Sequence, residues 1–155
     1  MKRFLRKLCR GGKIQIIEST EEISKSYIEK SESNLISSKI LLDNDRLEES
    51  TSLTYYSMYN LVLSLLFKVG IKSENHSASI FLLKEIFDFD NQPILDAKRE
   101  RIDKQYYTGF EIAKEEVSGG IIAAENFNRN LSGFILGLNN QKIKDFRIKL
   151  ENLLR

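Results

Sequence analysis

Ser52–Gly70 reads SLTYYSMYNLVLSLLFKVG, and between Leu61 and Phe67 it is apolar almost all the way round a helical turn. A helix on a protein surface needs only an apolar stripe, so this segment is expected to be the central, most buried helix of its domain. LVLSLLF is the longest strongly apolar run in the chain, and it falls well short of the 18 or so residues that a membrane span requires. Gly70 offers a left-handed stop to the helix. Upstream, Asp43-Asn44-Asp45 forms a turn, and Asp45 with Glu48 is a plausible start.

On the amino-terminal side of that turn a second long helix is predicted from Ser19 to about Leu42. It opens on Ser19-Thr20-Glu21-Glu22, a capping box in which the serine hydroxyl and the glutamate carboxylate would take up free backbone amides. Ile28, Leu35 and Leu42 recur every seven residues, with Ser24, Ser31 and Ser38 at the same interval between them. Alternating large and small side chains let a neighbouring helix come close. Two helices of about 25 residues, each near 38 Å long and joined by a short turn, make an antiparallel hairpin.

Downstream, Ser73 or Asn75 caps a shorter helix that buries Ile80, Leu83 and Phe87. Pro93 suits the first turn of the next element, PILDAKRERIDKQYY. A long helix over about 111–138 contains Gly119-Gly120, each glycine costing about 1 kcal/mol against alanine, which a close backbone contact or a kink would explain. A last amphipathic helix, Lys142 to Leu154, aligns Ile143, Phe146, Leu150 and Leu153. No alternating run is long enough for a sheet. The expected architecture is all-α, an up-and-down bundle of four to five helices with an extra carboxy-terminal helix.

Composition agrees with a folded domain. A chain of 155 residues can bury roughly 68–70% of its unfolded surface, and 41% hydrophobic residues with a single proline argue against disorder. Cys9 alone permits no internal disulfide and no cysteine-rich zinc site, and His76 alone removes designs needing two imidazoles, so no metal site and no cofactor is expected. The first stretch lacks the apolar core of a signal peptide, and a reducing cytoplasm is the expected compartment. The net charge of +2 is unevenly spread, because residues 1–13 carry six basic side chains and no acid, leaving −4 on the rest. Residues 1–18 therefore read as a basic arm, either a frayed, solvated terminus or a segment that follows phosphates, before a single domain over 19–155.

Chemistry has few places to sit. His76 is the one natural proton shuttle near neutral pH, although a histidine that merely fixes its loop uses the same residue. Arg99, Arg101, Asp103 and Lys104, followed by Tyr106 and Tyr107, combine phosphate-pairing charge with aromatic faces for stacking a base. The same types also make an ordinary solvated helix face. Tyr55, Tyr56 and Tyr59 share overlapping faces of the central helix, as core packing or a dimer contact would require. No dinucleotide fingerprint, phosphate-binding lysine loop or nucleophile elbow is present.

Taken in order, Tyr55-Tyr56-Ser57-Met58-Tyr59, then LVLSLLFKVGIKSENHSASI, then RIDKQYY and IIAAENF, resemble the HEPN domain family of prokaryotes over about residues 20–137. The resemblance implies a compact bundle, commonly a homodimer, often encoded beside a minimal nucleotidyltransferase in a toxin-antitoxin or defence-type pair. Many members are metal-independent endoribonucleases whose motif is an arginine, four to six residues, then a histidine. Here Arg101 is followed after four residues by Tyr106, so the contiguous motif is absent. The resemblance implies an RNA- or nucleotide-binding component with a degenerate nuclease motif. In it Arg101 pairs with phosphate, Tyr106 and Tyr107 stack or hydrogen-bond, and His76 orients the site. Two alternatives stand beside it. One is an active endoribonuclease toxin using His76, Arg101 and Tyr106, with His76 brought to Arg101 from another segment. The other is a purely structural partner that docks the nucleotidyltransferase.

Overall fold

The computed structural model describes residues 2–106 and 112–154, with the side chains of Lys2 and of residues 104–106 outside that description. Its elements are α1 (Lys2–Arg10), β1 (Ile14–Ile16), α2 (Glu21–Asp43), α3 (Leu47–Val69), β2 (Ile71–Ser73), α4 (His76–Glu85), α5 (Gln92–Tyr106), α6 (Lys114–Leu136) and α7 (Asn140–Leu154). The protein is an all-α bundle. None of its helices among the described residues is long and apolar enough to cross a membrane.

α3 is the buried axis, with Tyr55, Met58, Leu61, Val62, Leu65, Leu66 and Val69 all in the core. α2 lies antiparallel on it along a seam of serines. Ser24 Oγ meets Ser64 Oγ at 2.9 Å, Ser31 Oγ donates to the Ser57 carbonyl at 2.7 Å, and Ser50 Oγ donates to the Ser38 carbonyl at 2.7 Å. Each strand of the seam repeats every seven residues, Ser24-Ser31-Ser38 against Ser64-Ser57-Ser50, with opposite directions along the two helices. Small side chains let the backbones approach, and the hydrogen bonds satisfy hydroxyls that are almost wholly buried. Ile28 and Leu35 flank the seam and pack on the core from its edge.

Helix ends depart from the sequence reading in two places, the first at α3, whose start is preceded by Arg46 with no side-chain cap bond while Asp45 Oδ1 accepts instead from Lys114 Nζ at 2.8 Å. Ser19 does not close a capping box on α2, whose first residue is preceded by Thr20 with no side-chain cap bond. Its hydroxyl donates instead to the Lys68 carbonyl at 2.5 Å, tying the start of α2 to the end of α3. The competing acceptor is one of the orphan carbonyls of the α3 terminus. Gly70 ends α3 with φ of 82°, and a Cβ there would strike the Arg147 guanidinium and the Ile17 carbonyl. Arg147 uses that space to donate to the carbonyls of Ile17 at 2.8 Å and Val69 at 3.1 Å, pinning α7 to the junction.

Two further expectations need correction. The chain does form a sheet, a three-residue antiparallel pair with Ile14 opposite Ser73 and Ile16 opposite Ile71. Strands this short give no readable alternation in sequence; Ile14 and Ile71 are buried and anchor the pair to the core. The basic arm is likewise not frayed, because α1 sinks Leu5 completely and packs Leu8 and Cys9 against the core. Around Gly119 and Gly120 an added Cβ would meet nothing within 4 Å, so no close approach among the described residues accounts for the pair.

α4 is capped as expected, by Asn75 Oδ1 accepting from the Ala78 amide at 2.9 Å. Its face buries Ile80 and Leu83, with Phe87 just beyond its end. α6 and α7 close the other side through a cluster of Phe87, Phe89, Phe127, Phe134 and Phe146 rings with centroids 4.9 to 6.2 Å apart.

Candidate functional site

The site forms where α3, α4 and α5 converge. α3 presents Tyr55 and Tyr59 one turn apart on its buried face, with Tyr56 beside them. α4 starts at His76, so the imidazole stands at the helix mouth and half-buried against those rings. Tyr59 stacks on it with centroids 3.9 Å apart and planes 15° apart, and Tyr55 Oη lies 2.8 Å from His76 Nδ1. Tyr59 Oη reaches Ser79 Oγ at 3.3 Å, which ties the stack to α4 from a second point.

α5 supplies the charge. Arg101 lies with its guanidinium carbon 5.5 Å from the Tyr55 ring centre and 4.9 Å from that of Tyr56, a cation held on two aromatic faces. One turn earlier Lys98 Nζ donates to Ser77 Oγ at 2.6 Å, next to His76. Lys98 and Arg101, three residues apart, occupy one face of α5. Among the described residues Arg101 Nε is buried and has no hydrogen-bond partner. That nitrogen is closed to solvent, so an incoming oxyanion would be met by the terminal nitrogens of the same guanidinium.

These surroundings set protonation. Burial, and after it the positive charges of Lys98 and Arg101, hold the His76 imidazole below its ordinary range, so it is neutral at pH 7. Lys98 is pulled down from the usual lysine range by burial and by Arg101. Tyr55 is pushed well above the usual tyrosine range, mainly by burial, with the neighbouring Tyr59 adding and Arg101 opposing. Burial also raises Tyr59, against its hydrogen bond with Ser79. Tyr55 thus keeps its proton, and when its hydroxyl donates to Nδ1 the neutral imidazole carries its own proton on Nε2. In that tautomer His76 donates to an oxygen; accepting a proton at Nε2 requires the opposite tautomer, with Nδ1–H donating to Tyr55 Oη.

Of the residues singled out from sequence, His76 and Arg101 come together around Tyr55 and Tyr56, although 25 positions separate them in the chain. Arg99 does not join them. It is exposed and faces Asp96, 3.7 Å away, because two residues along a helix turn a side chain to the far side. The backbone of Tyr106 ends α5, but its side chain, the Lys104 side chain and all of Tyr107 lie outside the described residues. Sequence reasoning missed Lys98, whose three-residue spacing from Arg101 was the available signal. It also gave the tyrosines only a packing or dimer role, since a hydroxyl aimed at a histidine 21 residues away leaves no local pattern.

A family model for the HEPN domain matches residues 24–129. The chain belongs to the HEPN domain family. No curated protein matches it. The matched span takes in Tyr55, Tyr59, His76, Lys98 and Arg101, whereas α1, β1 and α7 lie outside it. Among the described residues, no three His, Cys, Asp or Glu side chains are grouped to hold a metal ion.

Proposed function

We propose that this HEPN domain binds the phosphate of RNA or of a nucleotide between Lys98, Arg101 and His76. The carrying observation is the Arg101 guanidinium held over Tyr55 and Tyr56 beside an imidazole fixed by Tyr55. Arginine presents its donors as a planar fork that suits a phosphate, and the two tyrosine faces hold that fork in place. His76 donates a further hydrogen bond from Nε2, and Lys98 adds charge at the rim. Tyr106 and Tyr107 follow Arg101 in sequence and are the residues we expect to stack on a base. In the cell we place the domain in the cytoplasm as a homodimer, within a two-gene toxin-antitoxin or defence-type module whose other product is a minimal nucleotidyltransferase.

A second reading is a metal-independent endoribonuclease. It is favoured by the neutral His76 in one cluster with Arg101, which is the pairing of a proton-transfer group with a phosphate-stabilising cation. The Tyr55 hydrogen bond weighs towards binding, because the tautomer with Tyr55 as donor leaves no free nitrogen lone pair for a 2′-hydroxyl proton.

The test is binding and cleavage of single-stranded RNA in EDTA by the wild type, Arg101→Gln and His76→Gln. Binding weakened about tenfold or more in Arg101→Gln, roughly 1.4 kcal/mol, with no cleavage by any protein, supports the binding reading. Cleavage abolished in both variants selects the nuclease. Equal RNA binding by wild type and Arg101→Gln contradicts both, and RNA bound by neither leaves a structural docking partner of the nucleotidyltransferase.

A further inference from the structure

Arg3, Arg6, Lys7 and Arg10 stand at i, i+3, i+4 and i+7 of α1, so one face of this helix is wholly cationic over about 10 Å. Their side chains line a hollow of about 530 Å³. None of the four pairs with a carboxylate among the described residues, and Arg6 Nε is buried without a hydrogen-bond partner. Like charges gathered at this density repel one another, and a polyanion removes that cost.

The position of α1 gives the stripe a direction. Phe4 lines a second hollow, of about 210 Å³, together with Ser77 and Ile80 of α4 and Leu95 of α5. Ser77 is the residue that accepts from Lys98 and adjoins His76. Lys7 lies one turn along α1 from Phe4, the residue of α1 that shares this hollow with α4 and α5. The opposite face of α1 is already used, with Leu5 wholly buried and Leu8 and Cys9 against the core. A helix that binds a lipid surface needs a free apolar face to insert, and α1 has given its own to the fold.

We propose that α1 is a phosphate-tracking arm, in which Arg3, Arg6, Lys7 and Arg10 hold the backbone of an RNA strand that continues into the Lys98–Arg101 site. Where the strand leads rests on the phosphate-site reading above; that the arm holds it does not. The substrate is then a strand of several nucleotides rather than a single nucleotide. The arm lies outside the segment that matches the family model.

The experiment uses the full chain and measures binding of an oligouridylate of about 15 nucleotides and of uridine 3′-monophosphate across a salt series. The proteins are the wild type, Arg101→Gln and the triple variant Arg3→Gln, Lys7→Gln, Arg10→Gln, which changes only exposed side chains and spares Arg6. Circular dichroism and the urea midpoint confirm that the triple variant is folded. Three lost phosphate contacts should lower the slope of log K against log salt by about 2 for the oligomer, while monophosphate binding stays at the wild-type value. An unchanged oligomer affinity and slope in the triple variant overturns the arm. So does a wild type that binds no oligomer, or a variant whose only loss is binding to phosphatidylserine vesicles. Monophosphate binding unaffected by Arg101→Gln refutes the phosphate site instead, and the oligomer slope still decides the arm.

Discussion

His76 carries its chemistry through its neighbours. The stacked Tyr59 ring and the Tyr55 hydroxyl fix the imidazole, and burial with Lys98 and Arg101 keeps it neutral. Its folded pKa lies below the unfolded value of 6.5, so above neutrality both states are uncharged and the ring adds nothing to the pH dependence of stability. As pH falls below 6.5 the unfolded chain takes up a proton that the fold resists, and stability declines until the folded ring protonates as well. Urea unfolding at about pH 7.5 and 5.5 should show a loss in the wild type that is smaller in His76→Gln. Equal losses would mean that the ring is not held neutral. At this scale the sequence offered His76 and Arg101 as separate candidates and could not join them. Their junction is the Tyr55–Tyr56 face of α3, a contact made by tertiary packing across 46 residues.

At the scale of elements, the hairpin of α2 and α3 depends on side chains small enough to let two backbones approach. Ser57 is wholly buried, its carbonyl accepts from Ser31, and its hydroxyl accepts from Asn128 Nδ2 at 2.8 Å. Ser57→Leu should therefore wedge α2, α3 and α6 apart and lower stability by about 1–3 kcal/mol, measured as the shift in urea midpoint. Gly119→Ala and Gly120→Ala should act the other way. With nothing within 4 Å of either added methyl group, each should raise stability by about 0.5–1 kcal/mol in the same assay. The helices were legible because their signals are local: a heptad of serines, an apolar run at 61–67, an asparagine cap at 75. The capping box at Ser19 misled because a carbonyl at the end of α3, 49 residues away, competes for the same hydroxyl. The strands were illegible because three residues carry no period.

At the scale of the whole molecule, α1 and β1 extend the HEPN domain into a larger body with its own share of the core. Leu5→Ala should cost about 2–5 kcal/mol in urea unfolding, whereas a solvated arm would tolerate it without effect. Charge alone described these residues incompletely, since six basic side chains on residues 1–13 conceal one leucine that is buried to 0% exposure. The central claim is that three helices assemble one oxyanion site around the sole histidine. That histidine makes the claim directly measurable, because in the tag-free protein one imidazole gives one set of ring signals by NMR. The account predicts that His76 titrates below 6.5 in the free protein and that saturating uridine 3′-monophosphate shifts its ring signals and raises its pKa, as an anion next to an imidazolium must. Ring signals and a pKa unmoved by the nucleotide would contradict it.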